Sequence, residues 1–411
     1  MKSIGRIAKH QVNNLLNLLR GYPITTPSLG SMTLDEDDVE IAREWLRDKT
    51  RWEENDLVTQ YETEFARWNG SKFAFAFMGG RVALSACIYA LDLQENDEVI
   101  LPGYTCVVVP NAFKYAGVKP VYVDIELDTY GPDIKEVKQK ITSKTKAILL
   151  HHLYGLVCRD YEAILELAKK YNLRVIEDCA HATGAEYKGK KVGNWGDVGF
   201  YSSEQSKVFN TIQGGIAVTN DEKIAKKLQE YYDKAPFPKV ERIDKQLSNV
   251  ILNYYQFKHP QRWWRGDVAE LLYGRKRLIS TTVEEEHGIK PAHYGCRMPP
   301  PIAAIAINQL RKIESYNQLR RQTAKQWDQW CEANGYKKPV VIENSTPVFL
   351  RYPVMVEDKK KKNISWGYRE LGVTVGVWFV SHIHPVNLKV VDCPYADKAV
   401  SCCINLPCII K

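Results

Sequence analysis

Lys207 first suggests chemistry, because it lies in a run of hydroxyl and amide residues that ends in two glycines. The run is SEQSKVFNTIQGG, from Ser203 to Gly215. A lysine amine has a reference pKa near ~10.4, so it acts as a nucleophile only when it is desolvated or lies beside other positive charge. Most lysines are simply exposed. The function of Lys207 therefore depends on which residues the fold brings near it.

The acidic pair Glu177 and Asp178 ends the apolar run LRVIED. Acidic residues after a strand often cap the next element. In the alternative interpretation, one carboxylate faces a heterocyclic nitrogen. A buried aspartate beside a pyridine nitrogen keeps that nitrogen protonated, and the ring then becomes an electron sink.

A third feature is the segment MGGRVALSAC, from Met78 to Cys87, in which an apolar run is followed by two glycines and a helical pattern. The N-terminus of a helix presents free N–H groups and a positive dipole end to an anion, typically a phosphate. Ser202 lies five residues before Lys207. Together these features predict a pyridoxal phosphate site, with a phosphate cradle, an acid for the ring nitrogen and a Schiff-base lysine.

The elements that must position these residues alternate along the chain. Helical patterns such as Val82–Leu91 and Tyr161–Tyr171 separate short apolar runs that are typical of strands. The predicted strands are KFAFAF, DEVILP, KPVYVDI, TKAILLHH, LRVIED, VGFYSS and GIAVTN. This alternation predicts an α/β fold with a mostly parallel sheet and helices on both faces. Ligands of such sheets bind at the carboxyl ends of the strands.

The pattern divides the chain into three parts. Residues 1–235 form the predicted large cofactor-binding domain, and residues 236–290 a basic, aromatic insert or subdomain. Residues 291–411 form a smaller C-terminal α+β domain. It begins with a long amphipathic helix and continues with strands such as PVFLRYPVMV and GVTVGVWFV.

Composition excludes several classes of protein. The 411 residues are 45% hydrophobic and 26% charged, an ordinary globular balance that excludes general disorder. The net charge of +8 fits an anionic ligand or a membrane surface better than a dedicated nucleic-acid binder. The ten cysteines form no C-x-x-C pair, so we expect reduced thiols, no zinc site, no disulfide framework and a cytoplasmic protein.

Several of these segments, in this order, resemble one known family. The segments are GGRVAL, LPGYTCVVVPNAFKYAGVKPVYVDI, VIEDCAHATGA, GDVGFYSSEQSKVFNTIQGGIAVTN and HYGCRMPPPIAAIAINQLRKIE. They are similar to the DegT/StrS family of sugar aminotransferases, which are fold-type I pyridoxal phosphate enzymes that work as homodimers. The resemblance covers nearly the whole chain, apart from roughly residues 236–290.

The resemblance implies roles for individual residues. Lys207 would be the Schiff-base lysine, Asp178 the partner of the pyridine nitrogen, and Ser202 a phosphate ligand. Ala180 would pack on the cofactor ring, and His181 would lie near its phenolic oxygen. The complete set of expected cofactor-binding residues is Gly80, Arg81, Val82, Cys106, Asp178, Ala180, His181, Ser202 and Lys207, with no metal ligand.

Two departures from the family pattern concern the phosphate. The usual serine-glycine-threonine turn is here Gly79, Gly80 and Arg81, and Arg81 adds a fixed positive charge that is suited to grip a phosphate. The asparagine that the partner subunit usually sends to the phosphate is here Gly295.

Two further departures concern the ring and the paired glycines. The position of the ring-stacking aromatic is Cys106, and only Tyr104 lies close enough in sequence to replace it. The usual glutamate before the paired glycines is Gln213.

Two other motifs are discounted. Gly184–Lys191 nearly matches a P-loop, but Lys191 replaces the required Ser/Thr and the segment favours a Lys-Gly-Lys hairpin. His151 and His152 have no second His/Cys cluster at a suitable spacing, so a structural role is expected.

Two basic amphipathic stretches remain open to two interpretations. Residues 2–20 place apolar residues on one helical face, and the insert carries Trp263 and Trp264 between Arg262 and Arg265. Packing against the dimer partner is the first interpretation. Peripheral attachment to the anionic inner face of a membrane is the second.

These observations favour an aminotransferase that moves an amino group, from glutamate, to a keto sugar that is nucleotide-linked, for cell-surface polysaccharide or related glycan biosynthesis. One alternative is a sugar dehydratase, although the dehydratases of this family carry histidine at the lysine position. The other is a non-catalytic regulatory or membrane-associated protein of the same fold.

Overall fold

The structure is a computed structural model that describes residues 12, 15–16, 19–21, 29–53, 56–259 and 262–410, without the side chains of Trp263 and Arg275. Up to residue 235, helices and strands alternate in most of the chain. In chain order they are α1 (Glu36–Arg47), α2 (Asp56–Asn69), β1 (Phe73–Phe77), α3 (Gly80–Ala90), β2 (Glu98–Pro102), β3 (Thr105–Cys106), α4 (Val108–Lys114), β4 (Lys119–Val123), α5 (Ile134–Lys140), β5 (Thr145–His151), α6 (Tyr161–Tyr171), β6 (Arg174–Asp178), β7 (Glu186–Tyr187), β8 (Lys190–Lys191), β9 (Val198–Ser202), β10 (Gly215–Thr219) and α7 (Glu222–Lys234).

Seven of these strands form the central sheet, in the order β1-β10-β9-β6-β5-β2-β4. The strands from β9 to β4 pair in parallel, whereas β10 is antiparallel to both of its neighbours. Each of the seven apolar runs predicted as strands supplies one strand of this sheet. The prediction of a mostly parallel sheet is confirmed.

Both faces of the sheet are buried, because successive side chains of each strand point to opposite sides. In β5, Ile148 and Leu150 face one hydrophobic core, and Ala147 and Leu149 face another. Helices α1, α2, α5 and α6 contribute to the first core, and α3, α4 and α7 to the second. This covering explains why the strands are nearly continuous apolar runs in the sequence.

In the described part of residues 236–290, the α-helices are α8 (Val240–Phe257), α9 (Trp263–Tyr273) and α10 (Val283–Glu286). The apolar face of α8 packs in the first core through Ile243, Leu247 and Val250, all fully buried. Helix α9 has the opposite character, since several of its large apolar side chains are exposed. They are Trp264, Val268, Leu271 and Leu272. We call these four residues the α9 stripe.

The C-terminal part begins with the predicted long helix. Its elements are α11 (Pro300–Asn334), β11 (Ser345–Thr346), β12 (Tyr352–Met355), α12 (Asp358–Lys362), α13 (Trp366–Glu370), β13 (Ile383–His384), α14 (Pro394–Cys402) and β14 (Cys403–Leu406). Strands β12 and β14 pair antiparallel over a third hydrophobic core. Within the described residues, no helix has the length and apolar character needed to cross a bilayer.

One predicted strand of this part is wrong. The run GVTVGVWFV, residues 372–380, forms a single bridge between Gly376 and Asn405 and is otherwise irregular. Its apolar residues alternate because some of them pack in a hydrophobic core and another faces a cavity. Val373 and Val375 are in the third core, whereas Trp378 lines a cavity.

Candidate active site

A cavity of about 500 Å³ lies at the carboxyl ends of β5, β6 and β9, where ligands of parallel sheets bind. Asp178 is the last residue of β6, and Lys207 follows β9 in a loop. The start of α3 forms another wall, residues 277–285 close one side, and Trp378 comes from the C-terminal part. All nine residues expected to bind the cofactor line this cavity. They are Gly80, Arg81, Val82, Cys106, Asp178, Ala180, His181, Ser202 and Lys207.

The amine of Lys207 contacts two aromatic rings inside the cavity. Its Nζ lies 2.9 Å from His181 Nε2 and 4.9 Å from the centre of the Trp378 ring. Burial lowers the pKa of Lys207, against the opposing effect of Glu204, Cys106 and Asp178. Desolvation is one of the two conditions for a nucleophilic lysine.

A backbone group determines which nitrogen of His181 carries the proton. The N–H of Tyr154 points at His181 Nδ1, at 3.3 Å, so Nδ1 accepts and the proton of the neutral ring lies on Nε2. Whenever Lys207 is in its uncharged form, this Nε2–H can donate to the lone pair of the amine. The pKa of His181 lies well below its usual value, first because of burial and then because the positive charges of Arg351 and of the protonated form of Lys207 oppose a second proton on the ring. Tyr154 makes this contact from a left-handed conformation, with φ 58°.

Asp178 and Glu177 point to opposite sides of β6 and have different roles. Asp178 faces the cavity, where its Oδ1 accepts a hydrogen bond from the Ala180 N–H at 3.0 Å. Burial raises the pKa of Asp178 to about 6. A buried carboxylate of this kind is suited to accept the N–H of a protonated heterocycle, which would supply the missing positive charge.

Glu177 is fully buried on the other side of the sheet. It accepts hydrogen bonds from the backbone N–H groups of Gly193, Trp195 and Gly196. These contacts fix the loop before β9. Glu177 therefore has a structural role.

The start of α3 forms a tight cradle. A Cβ atom on Gly80 would lie 2.8 Å from Ser202 Cβ, and one on Gly215 would lie 2.4 Å from the backbone of Gly79 and Gly80. Only glycine allows these approaches. The first N–H groups of α3 have no carbonyl one turn earlier. They lie beside the Ser202 hydroxyl, as a phosphate site requires.

Arg81 lies at this cradle, but its guanidinium is occupied. It forms an ion pair with Glu285 and donates a hydrogen bond to the carbonyl of Ser280. Both partners belong to the insert, and Glu285 is buried. Arg81 therefore ties the insert to the start of α3.

Tyr104 was the residue close enough in sequence to replace the ring-stacking aromatic, but it does not line the cavity. Cys106 lines the cavity as expected, but Tyr104 is fully buried in the third core, where its hydroxyl lies 3.1 Å from that of Tyr154. A second ring beside Lys207, in addition to His181, belongs to Trp378, whose centre lies 4.9 Å from Lys207 Nζ and which contacts His181 edge-on at 5.0 Å. Sequence reasoning missed Trp378 because it had assigned its segment to a strand.

The donor set fits pyridoxal phosphate. The cradle of Gly80 and Ser202 suits the phosphate, Asp178 suits the ring nitrogen, and Lys207 is the amine that would bind the aldehyde carbon. Ala180 lines the cavity beside Asp178. These residues all face the same cavity.

The discounted motifs have structural roles. Residues 186–191 form the predicted hairpin, in which β7 pairs antiparallel with β8. His151 Nε2 lies 2.6 Å from the Tyr130 carbonyl, and His152 Nδ1 accepts from the Cys158 N–H at 3.2 Å. His152, Glu177 and Cys179 are close enough to share an ion, but the hydrogen bonds of Glu177 account for its carboxylate.

Comparison with known proteins identifies the family of this chain. A profile of the DegT/DnrJ/EryC1/StrS aminotransferase family matches residues 32–411. The chain is 40% identical over 203 residues to the GDP-perosamine synthase of Escherichia coli O157:H7. These aligned residues are 49% of this chain and 54% of that protein. The match therefore spans about half of the relative's length.

Two other similarities extend over more of the chain. The dTDP-3-amino-3,6-dideoxy-alpha-D-galactopyranose transaminase of Aneurinibacillus thermoaerophilus is 39% identical over 304 residues, 74% of this chain and 70% of that protein. The solved aminotransferase from Psychrobacter cryohalolentis superposes with a TM-score of 0.69 at 25% identity, over 91% of this chain and 93% of that one. The chain therefore belongs to the DegT/DnrJ/EryC1/StrS aminotransferase family, whose members use pyridoxal phosphate.

Proposed function

We propose that the protein is a pyridoxal phosphate-dependent aminotransferase that moves an amino group from glutamate to a keto sugar. The sugar is nucleotide-linked, as the names of the relatives suggest, and its product enters a cell-surface polysaccharide or a related glycan. The observation that carries this proposal is the contact between Lys207 Nζ and His181 Nε2 in a cavity that also contains Asp178.

The chain's own residues supply the proton transfers. When bound, pyridoxal phosphate supplies an electron sink for the substrate carbon. As a free amine, Lys207 Nζ would take the proton from that carbon and, as general acid, return it. His181 orients this amine through its Nε2–H. Asp178 would keep the ring nitrogen of the bound cofactor protonated.

Two alternative functions are less well supported. A dehydratase of this family would carry histidine in place of Lys207. A non-catalytic protein of this fold would not need the buried pair of Lys207 and His181. The changes at Cys106 and Gln213 leave both catalytic residues in the cavity.

The proposed reaction is tested with purified protein, pyridoxal phosphate, glutamate and a panel of nucleotide-linked 3-keto and 4-keto sugars. We expect formation of 2-oxoglutarate that depends on one of these sugars, with an amino sugar detected by mass spectrometry. Lys207→Arg is the matched control and should show no turnover. Release of water from the sugar without 2-oxoglutarate would instead identify a dehydratase.

We further propose that the enzyme is a cytoplasmic homodimer in which the α9 stripe packs against the second subunit. Four exposed apolar residues at helical spacing are a typical interface feature. Val12, Leu15, Leu16 and Leu19 of the predicted N-terminal helix are also exposed, while Ile4, Ile7, Ala8 and the Trp263 side chain lie outside the described residues. The ten cysteines are all free, which suits a reducing compartment.

This surface is tested with Leu271→Glu/Leu272→Glu. Light scattering should show the mass of a dimer for the parent protein and of a monomer for the variant, because two buried charges oppose association. Val391→Glu, at another exposed apolar residue, is the control and should remain dimeric. If the variant stays dimeric, the α9 stripe does not form the dimer interface, and an accompanying loss of binding to phosphatidylserine vesicles would assign the stripe to a membrane surface.

A further inference from the structure

Arg242, on α8 of the insert, is a cationic residue of the cavity whose partner is uncharged. Its Nη2 donates to Gln213 Oε1 at 2.6 Å, and its Nε is buried without a hydrogen-bond partner among the described residues. Both Arg242 and Gln213 line the cavity. An arginine that is neither neutralised nor fully hydrogen-bonded is costly to bury unless a ligand completes its contacts.

Among the side chains that the structure describes, two further arginines line the cavity, and both differ from Arg242 in this respect. Arg81 is paired with Glu285, and Arg277 with Glu270. At the position of Gln213 the family usually has glutamate, which would pair with Arg242 and cancel its charge. The amide holds the guanidinium in place without neutralising it, and the nearby Glu285 acts on Arg242 only from a distance because its carboxylate is paired with Arg81. The cavity therefore has a positive charge available for an anion.

This charge lies next to the cradle. Gln213 precedes Gly214 and Gly215, and Gly215 packs directly on the backbone of Gly79 and Gly80. The family's partner-subunit asparagine is absent, since its position is Gly295, which has φ 97° and no side chain. A phosphate at this cradle would therefore have one polar ligand fewer than in the family pattern.

We propose that Arg242, positioned by Gln213, binds a phosphate group in this cavity. Arg81 was expected to have this role from the sequence, but its two contacts with the insert assign it to holding the cavity wall. The inference rests on the proposed function, because that function supplies the two phosphate groups that Arg242 would bind. These are the phosphate of the cofactor and the diphosphate of a nucleotide-linked sugar, which share the same recognition by a guanidinium.

Titrations of the full chain with defined probes test the inference. Pyridoxal phosphate and pyridoxal are each titrated into cofactor-free protein, and uridine diphosphate and guanosine diphosphate into cofactor-saturated protein. Arg242→Gln should weaken one phosphate-containing probe by about tenfold or more, the usual effect of losing a hydrogen bond to a charged group. The affinity for pyridoxal should change by less than about twofold.

The pattern of losses identifies the phosphate. A loss for pyridoxal phosphate alone assigns Arg242 to the cofactor, and a loss for a nucleoside diphosphate alone assigns it to the substrate. Unchanged affinity for all phosphate probes, or an equal loss for pyridoxal, would overturn the inference. Because no turnover is measured, a protein that fails the aminotransferase assay could still pass this test.

Two further variants ensure that the test does not depend on the correct folding of Arg242→Gln alone. Gln213→Glu places a carboxylate on Arg242 and should weaken the same probe as Arg242→Gln does. Arg311→Gln is the matched control, since Arg311 is exposed and pairs with Glu64 on the surface. Its affinities should equal those of the parent protein.

Discussion

Borohydride reduction of the protein incubated with pyridoxal phosphate should attach the cofactor irreversibly to Lys207, and peptide mapping should recover the label between residues 203 and 215. Lys207 is the expected site because burial lowers its pKa and the Nε2–H of His181 contacts its lone pair. An exposed lysine is mostly protonated at neutral pH and reacts poorly. Lys207→Ala should also lower kcat by about 10²- to 10⁴-fold, the range for loss of a general acid–base.

The control for this experiment is a lysine on the protein surface. Lys227 is paired with Asp92 outside the cavity, so Lys227→Ala should leave both the label and turnover unchanged. A label on another lysine of the parent protein would refute the assignment. So would the absence of any label while the cofactor is bound.

Asp178→Asn should keep the fold and weak cofactor binding but lower kcat by at least about 10²-fold, as when electrostatic stabilisation of a developing charge is removed. A neutral amide cannot hold a proton on the ring nitrogen. The pH dependence provides a second measurement. Because the pKa of Asp178 is raised to about 6, its carboxylate forms as the pH rises through that value.

Cofactor affinity of the parent protein should therefore increase between about pH 5 and pH 7, since the charged carboxylate attracts the protonated ring. This increase should be smaller in Asp178→Asn, measured by absorbance titration at each pH. Asp92→Asn, at an exposed carboxylate, should behave like the parent protein. Full turnover of Asp178→Asn would show that Asp178 has no role at the ring nitrogen.

The central sheet was predictable from sequence because its strands are buried on both faces. Continuous apolar runs such as TKAILLHH have few alternatives in a soluble α/β domain. The places of Lys207 and Asp178 at the edge of the sheet were predictable for a related reason, since Asp178 ends one such run and Lys207 lies in the loop that follows another. Their positions at the carboxyl ends of β9 and β6 follow from the parallel order of these strands.

The walls of the cavity were not predictable in this way. Trp378, His384 and Glu285 reach it from segments more than 70 residues away from Lys207, and only tertiary packing brings them there. Burial lowers the pKa of His384 to about 4, and Lys207 adds to this effect. The contacts of Arg81 with Ser280 and Glu285 were not predictable, because both partners belong to residues 236–290, for which the family resemblance offered no guide.

The left-handed turn at Tyr154 places a main-chain N–H against His181, so substitutions of the Tyr154 side chain need not change the site. Its N–H belongs to the main chain, so the proton on His181 keeps its place whatever side chain occupies position 154, as long as the turn is retained. A non-glycine residue in this conformation costs of order 1–3 kcal/mol. This strain lowers the stability of the fold, while the same turn fixes the position of the proton on His181. Two relatives with identical side chains around the lysine would still differ in reactivity if one of them had relaxed this peptide group.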